Sequence, residues 1–205
     1  MKQKINCNWH RYVDLGLLSG LLWATCNVGA NEPWESGLHF SWGNVDGHTK
    51  GSGYDFSGTE HAITPGAALD CNIPVDAGYD AARANFGGSW RMPTKNEFVE
   101  LYYNCDSKWV THNGVNGRLF TSRINGNSVF FPVAGYYHDG TILYHENTIG
   151  YYWSSSAKLQ SLAYYLSLGS GYAHPQNYCG RDYFFTVRAV LDHPKDSLMI
   201  KTIKR

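Results

Sequence analysis

Charge of one sign is missing from this sequence. Its 17 Lys and Arg balance 17 Asp and Glu. No overall field draws nucleic acid or an anionic membrane towards such a chain. The one basic cluster, Lys201, Lys204 and Arg205, reads as a solvated end. Long apolar runs are also missing. No stretch approaches the ~18 residues a bilayer span requires, so no membrane insertion is expected. The lysines near Met1 have no apolar stretch behind them, and residues 1–10 do not read as a signal peptide. Paired cysteines are lacking too. Cys7, Cys26, Cys71, Cys105 and Cys179 are odd in number, widely spaced and contain no C-x-x-C. That excludes a disulfide framework and a zinc ribbon. Buried free thiols are expected, with a single disulfide as the alternative if the protein matures outside the cell.

Catalytic signatures are equally scarce. Gly51-x-Gly53 leads into Tyr54-Asp55, without the Lys-Ser/Thr of a phosphate loop. There is no Gly-x-Ser-x-Gly elbow and no His-Glu-x-x-His. The neighbours His138-Asp139 and His145-Glu146 would point to opposite faces of an extended chain, so neither pair chelates alone. Asp46, Asp55, Asp70 and Asp76 offer hard oxygen ligands but follow no calcium-loop spacing. No catalytic residue, metal ligand or cofactor is expected.

What is abundant is aromatic and turn-forming. Hydrophobic residues make up 43% and charged residues 17% of 205 positions, which excludes a disordered chain and suffices for a core. There are 15 Tyr, 7 Trp and 22 Gly. Tyr and Trp give rigid contact area with a polar tip; glycine permits tight turns. Trp42, Trp90, Trp109 and Trp153 are stacking platforms or core, and core is expected for Trp90 and Trp153.

Local patterns predict the elements. Short strands flank a turn at Ser19-Gly20, and His39–Trp42 forms another. Residues 43–78 form a long excursion. Asp80–Phe86 reads as a short helix before Gly87-Gly88. Thr94 and Glu97 have capping-box spacing, and Phe98, Leu101, Tyr102 and Cys105 form one apolar stripe behind them. Asn113-Gly114, Asn116-Gly117 and Asn125-Gly126 are turn signals, the last inside a hairpin of 119–124 and 129–133. Leu162, Tyr164, Leu166 and Leu168 should face the core, with Tyr165 opposite. Phe185, Val187, Ala189 and Leu191 alternate with Thr186, Arg188 and Val190, and Phe185, Val187 and Ala189 should anchor this last strand inward. Helices early and strands late give an α+β fold, with one domain over 1–191 and a tail over 192–205.

Between these aromatic strands lie Lys158, Gln160, Ser161, Ser170, Tyr172, His174, Tyr178, Arg181, Asp182 and Tyr183. They are polar or aromatic, mixed in chemistry and interrupted by glycine. No packing rule demands that mixture, and a recognition surface would use it. One contiguous exposed face is expected, centred on Tyr172, Tyr178 and Tyr183.

Several blocks together resemble a family. They are Tyr12–Ala24, Tyr54–Ser57, Thr64–Leu69, Trp90–Phe98, Asn113–Ser122, Gly150–Ser156 and Phe185–Val190. They look like the C-type-lectin-like domains catalogued as the Fibrobacter succinogenes major paralogous domain, abundant in Bacteroides and relatives. Leu18 and Phe184 depart from it, standing where the family usually has Pro and Gly. The resemblance implies a C-type-lectin-like fold with two short helices, a twisted, mainly antiparallel sheet and long loops. Some members are variable proteins of diversity-generating retroelements in phages and prophages, whose rewritten side chains sit over a fixed scaffold. Residues 150–190 resemble that variable region. The implied function is a non-enzymatic ligand- or receptor-binding module, such as a phage tail adhesin. Its partner would be a protein or glycan receptor on a cell surface, and its location a virion or cell surface; a homo-oligomer is compatible with it. Trp90–Phe98 also resembles a segment of formylglycine-generating enzymes. Their activity needs a close thiol pair, and here His174 stands five residues before Cys179. A calcium-dependent lectin is the other alternative, but neither Glu-Pro-Asn nor Gln-Pro-Asp occurs; sugar binding by aromatic stacking stays open.

Overall fold

In the computed structural model, residues 10–49, 72–74, 76–138 and 141–192 are described. Cys7, Cys71, Asp139, the Gly51–Gly53 pair, Asp55, Asp70, the blocks Tyr54–Ser57 and Thr64–Leu69, and the basic C-terminal end lie outside them.

The elements run in chain order as β1 (Tyr12–Asp14), β2 (Leu22–Ala24), β3 (His39–Phe40), α1 (Ala81–Phe86), β4 (Trp90–Arg91) and α2 (Lys95–Asn104). Then come β5 (Cys105–His112), β6 (Val115–Ser122), β7 (Ser128–Pro132), β8 (Tyr136–Tyr137) and β9 (Leu143–Tyr144). The last are β10 (Gly150–Leu159), β11 (Leu162–Gly169), β12 (Tyr172–Gly180), β13 (Phe185–Thr186) and β14 (Val190–Leu191). The fold is α+β with mostly antiparallel pairing; β10 and β13 run parallel. Among the described residues no helix is long and apolar enough to cross a membrane.

Local chemistry explains the helices. The Asp80 carboxylate accepts the Arg83 N–H at 2.9 Å, capping α1, and also the Met92 N–H. One carboxylate thus fixes the helix start and the exit of β4. At α2 the Thr94 hydroxyl accepts the Glu97 N–H, and the Glu97 carboxylate accepts the Thr94 N–H. Glu97 also holds Arg91, which reaches on to Asp192 at 2.8 Å. Phe98, Leu101 and Cys105 of the stripe are buried, and Tyr102 is half-buried.

Among the described residues the sheets form in four groups, with orders β1-β2-β14-β4, β12-β11-β10-β13-β3, β5-β6-β7 and β8-β9. The Ser19-Gly20 turn joins β1 to β2. Asn113 and Gly114 both take positive φ, 51° and 80°, as a two-residue hairpin turn of the primed type requires. The 125–126 hairpin also forms, with Phe120 opposite Val129.

Two expectations are corrected. Asn116-Gly117 is not a turn; both residues lie inside β6. A methyl group on Gly117 would sit 2.4 Å from the Phe130 ring and from the Phe131 carbonyl, so the glycine serves close strand approach. Residues 185–191 are not one strand. Phe185–Thr186 join the five-stranded sheet, and Val190–Leu191 cross to the four-stranded sheet. Residues 172–180, which no strand pattern marked in the sequence, form β12, paired to β11 with a bulge.

Two buried clusters result. One packs Leu15, Trp23, Phe98, Leu101, Phe120, Phe131, Tyr152 and Leu166 between α2 and the sheets. The other gathers Phe40, Trp42, Phe86, Trp90, Trp153, Phe185 and Val187, so Trp90 and Trp153 are core. Strand β11 is covered on both faces. Leu166 and Leu168 enter the first cluster, while Ala163 enters the second and Tyr165 packs against it. Tyr164 does not reach the core; the ammonium groups of Lys95 and Lys158 lie over its ring.

Two stability predictions follow from these contacts. Thr94→Ala should cost about 1 kcal/mol and Leu101→Ala about 2–5 kcal/mol in urea unfolding. The second concerns pH. His39 is buried on Tyr137, beside His48, with its Nε2 at 3.2 Å from the Ala134 carbonyl. Burial, and then the neighbouring His48, pull its pKa from 6.5 to about 4. A lowered histidine pKa means that stability is full above 6.5 and is lost as pH falls towards 4, by about 3 kcal/mol for this group. Urea midpoints should therefore fall more steeply over that window in the parent than in His39→Gln; equal slopes would refute the assignment.

Candidate functional site

Strands β10, β11 and β12 form two successive hairpins, and their register decides which side chains share a face. Tyr151 pairs with Ser167 and Trp153 with Tyr165. Across the next interface Tyr165 pairs with Asn177, Ser167 with His174 and Gly169 with Tyr172. Directly opposed residues point to the same side. One face therefore carries Tyr151, Trp153, Tyr165, Tyr172, His174 and Asn177.

At the Cys179 end this face opens into a cleft of about 210 Å³ lined by Tyr136, Tyr151, Tyr165, Cys179, Tyr183 and Phe185. Phe185 forms the floor. Its ring stacks on Trp153 at 4.3 Å and on Tyr151 at 5.0 Å, and meets Tyr165 edge-on at 4.9 Å. Tyr136 leans on Tyr151 and Tyr183 and stacks on Tyr144. At the rim, His138 stacks on Tyr183 at 4.3 Å, and its Nε2 lies 3.6 Å from Asp182 Oδ2. His145 Nδ1 is 2.8 Å from the Tyr151 hydroxyl.

The electrostatics suit binding by neutral groups. Burial raises the Tyr151 and Tyr183 pKa and pushes that of Tyr165 to about 12. These phenols stay protonated near neutral pH and can donate or accept hydrogen bonds. Burial, reinforced by Asp182, raises the Cys179 thiol well above the usual thiol range. A nucleophilic cysteine needs the opposite shift. Among the described residues no three His, Cys, Asp or Glu side chains gather into a metal-ligating group.

None of the ten sequence-nominated residues is buried, but they do not share one face. Tyr172 and His174 stack on each other at 4.8 Å on the cleft face. Asp182 and Tyr183 stand at the cleft rim. Tyr178 pairs with Tyr164, which turns it to the opposite face. There the Lys158 ammonium sits 2.9 Å from its ring centroid. Gln160 and Ser161 occupy the β10–β11 turn and Ser170 the β11–β12 turn, all exposed. The bulge between the Tyr165 and Ser167 pairings is what separates Tyr178 from His174: β11 advances two residues there and β12 three.

Arg181 is committed to the scaffold. Its Nη2 donates to the Leu159 carbonyl at 2.7 Å and its Nε to the Leu162 carbonyl, and its guanidinium lies 4.2 Å above the Trp42 ring. It closes the β10–β11 turn from outside.

Sequence reasoning missed Tyr136, Tyr151, Tyr165 and Phe185. A signal did exist in the doubled tyrosines 136–137 and 151–152. Alternation buries Tyr137 and Tyr152 and leaves Tyr136 and Tyr151 for the cleft.

No protein-family model, curated protein or solved structure matches this chain.

The division between rim and scaffold is measurable. Arg181→Ala should destabilise by about 1–3 kcal/mol, because it removes two hydrogen bonds to carbonyls and a cation–π contact. Tyr178→Ala, at an exposed position, should stay within about 0.5 kcal/mol. Urea unfolding of both variants checks the contrast, and equal losses would contradict it.

Proposed function

We propose that the chain is a C-type-lectin-like binding module without catalytic activity. Among the described residues, two helices and mainly antiparallel strands are compatible with that class. Within the class it best fits a variable protein of a diversity-generating retroelement, displayed on a virion or cell surface and engaging a protein or glycan receptor there. The residue blocks set out in the sequence carry this second step.

The observation that carries the binding reading is the open tyrosine-walled cleft on a sheet whose floor is fully packed. Half-exposed aromatic side chains with polar tips are what interface hot spots use. Here they stand on rigid strands, with Tyr172, His174, Asp182 and Tyr183 beside or on the rim. The raised thiol of Cys179 and the absence of a cysteine five residues before it argue against the formylglycine-generating alternative.

The test is binding of the purified chain to a glycan array and to intact bacterial cells. Tyr172→Ala and Tyr183→Ala should melt close to the parent and lose most of its binding, about tenfold or more. Binding that survives both changes would displace the site from this face. At the gene level, a neighbouring reverse transcriptase and a near-repeat of the last coding segment are the expected companions of a variable protein.

A further inference from the structure

Arg118 lies in β6 with 7% of its surface exposed. Its Nε donates to the Gly169 carbonyl at 2.9 Å and its Nη2 to the Ser170 carbonyl at 3.0 Å. Its Nη1 donates to the Ser107 carbonyl and hydroxyl. A guanidinium has five N–H groups, so these bonds leave one Nη2 hydrogen over. Every acceptor is neutral, and no carboxylate of the described residues pairs with this cation. Burying a charge without a counter-charge is costly, and desolvation pulls the Arg118 pKa down accordingly.

The side chain is not sealed in. It lines a pocket of about 380 Å³ where the end of α2 meets β5, β6 and the β11–β12 turn. The other charge lining the pocket is also positive. Arg123 gives its Nε to Asp106 and its Nη1 to the Tyr103 carbonyl, which leaves its Nη2 available. Tyr102, Tyr103 and Tyr172 supply aromatic walls. The volume is in the range of small-molecule sites. The pocket sits at the Tyr172 end of β12, whereas the tyrosine cleft lies at its Cys179 end.

We propose that this pocket binds a carboxylate carried on a flat-faced ring, the chemistry of a hexuronic acid. The Nη2 groups of Arg118 and Arg123 hold the carboxylate by charge-assisted hydrogen bonds, and the tyrosines cover the ring. The anion supplies the counter-charge that Arg118 lacks. This site goes beyond the receptor-binding cleft and shares Tyr172 with its rim; the arginine variants test it separately.

Calorimetric titration of the intact protein tests the assignment with three probes: glucuronate, glucose as its uncharged ring, and sulfate as an anion without a ring. Glucuronate should saturate the protein at one site and bind more tightly than either control. Arg123→Gln, at an exposed side chain, should weaken it about tenfold or more. Arg118→Lys keeps the charge, loses the fork and should weaken it similarly. If Arg118→Lys does not fold, the probe series and Arg123→Gln decide. No saturable glucuronate binding, equal binding of glucose or sulfate, or an Arg123→Gln protein that binds like the parent would each overturn the proposal.

Discussion

The guanidinium of Arg188 is fully buried in the short stretch between β13 and β14. Its Nη1 donates to the Ala24 and Thr25 carbonyls at 3.0 and 2.7 Å, and its Nε donates to Asn27 Oδ1 at 2.9 Å. The Phe131 ring lies 4.7 Å below. Backbone bonds from Ala24 to Ala189 and from Val28 to Val187 run alongside. A buried cation held by neutral acceptors tolerates little displacement, since each lost acceptor leaves charge in a low-dielectric interior. This stretch is where the chain leaves the five-stranded sheet and enters the four-stranded one. Arg188 therefore fixes how the two sheets meet. Asn27 extends the constraint, because its Nδ2 reaches the Ser36 carbonyl and the Tyr152 hydroxyl.

The cleft inherits its rigidity from that junction. Phe185 lies three residues before Arg188, pinned opposite Phe40 and stacked on Trp153. Tyr151 and Tyr165 rest on it, so the walls stand on a floor with no freedom to relax. Rim residues such as His174 and Asp182 contribute little to either buried cluster. Side-chain identity there can change without disturbing the scaffold, which is the physical condition for a surface that tunes recognition. Arg181 breaks the pattern: it lies within the same segment, yet its donors close a turn.

Legibility in the sequence tracked the range of the interaction. The Thr94 capping box spans three residues, and the Asn125-Gly126 hairpin needs only its own turn; both formed where the pattern placed them. Asn116-Gly117 carried the same turn signal, but the Phe130 ring and the Phe131 carbonyl, more than ten residues away, leave no room for a Cβ at Gly117. Strand β12 carried no strand signal because His174, Pro175, Gln176 and Asn177 are polar or disfavoured in strands. Pairing with β11 and a bulge beside Pro175 accommodate them. The split of 185–191 between sheets was invisible, since period-two alternation says nothing about which neighbour a strand takes. For the site, composition located the exposed residues of the last third. Only topology could bring Tyr136, fifteen residues before Tyr151, into the same wall.

The position of β12 decides what kind of recognition this face can support. It is the outermost strand of its sheet, and an outer strand normally offers unpaired backbone groups to an incoming strand. Pro175 lacks an N–H, and the bulge beside it interrupts the regular spacing of the rest. Strand addition is thereby discouraged along the middle of β12. In the proposed binding reading, recognition through this strand would fall to side chains, which the bulge distributes to both faces: Tyr172 and His174 towards the cleft, Tyr178 with Lys158 away from it. A partner that used both groups would have to grip the strand from its edge. A partner lying flat on the sheet would meet only the cleft side, where rigid tyrosines surround a fixed floor.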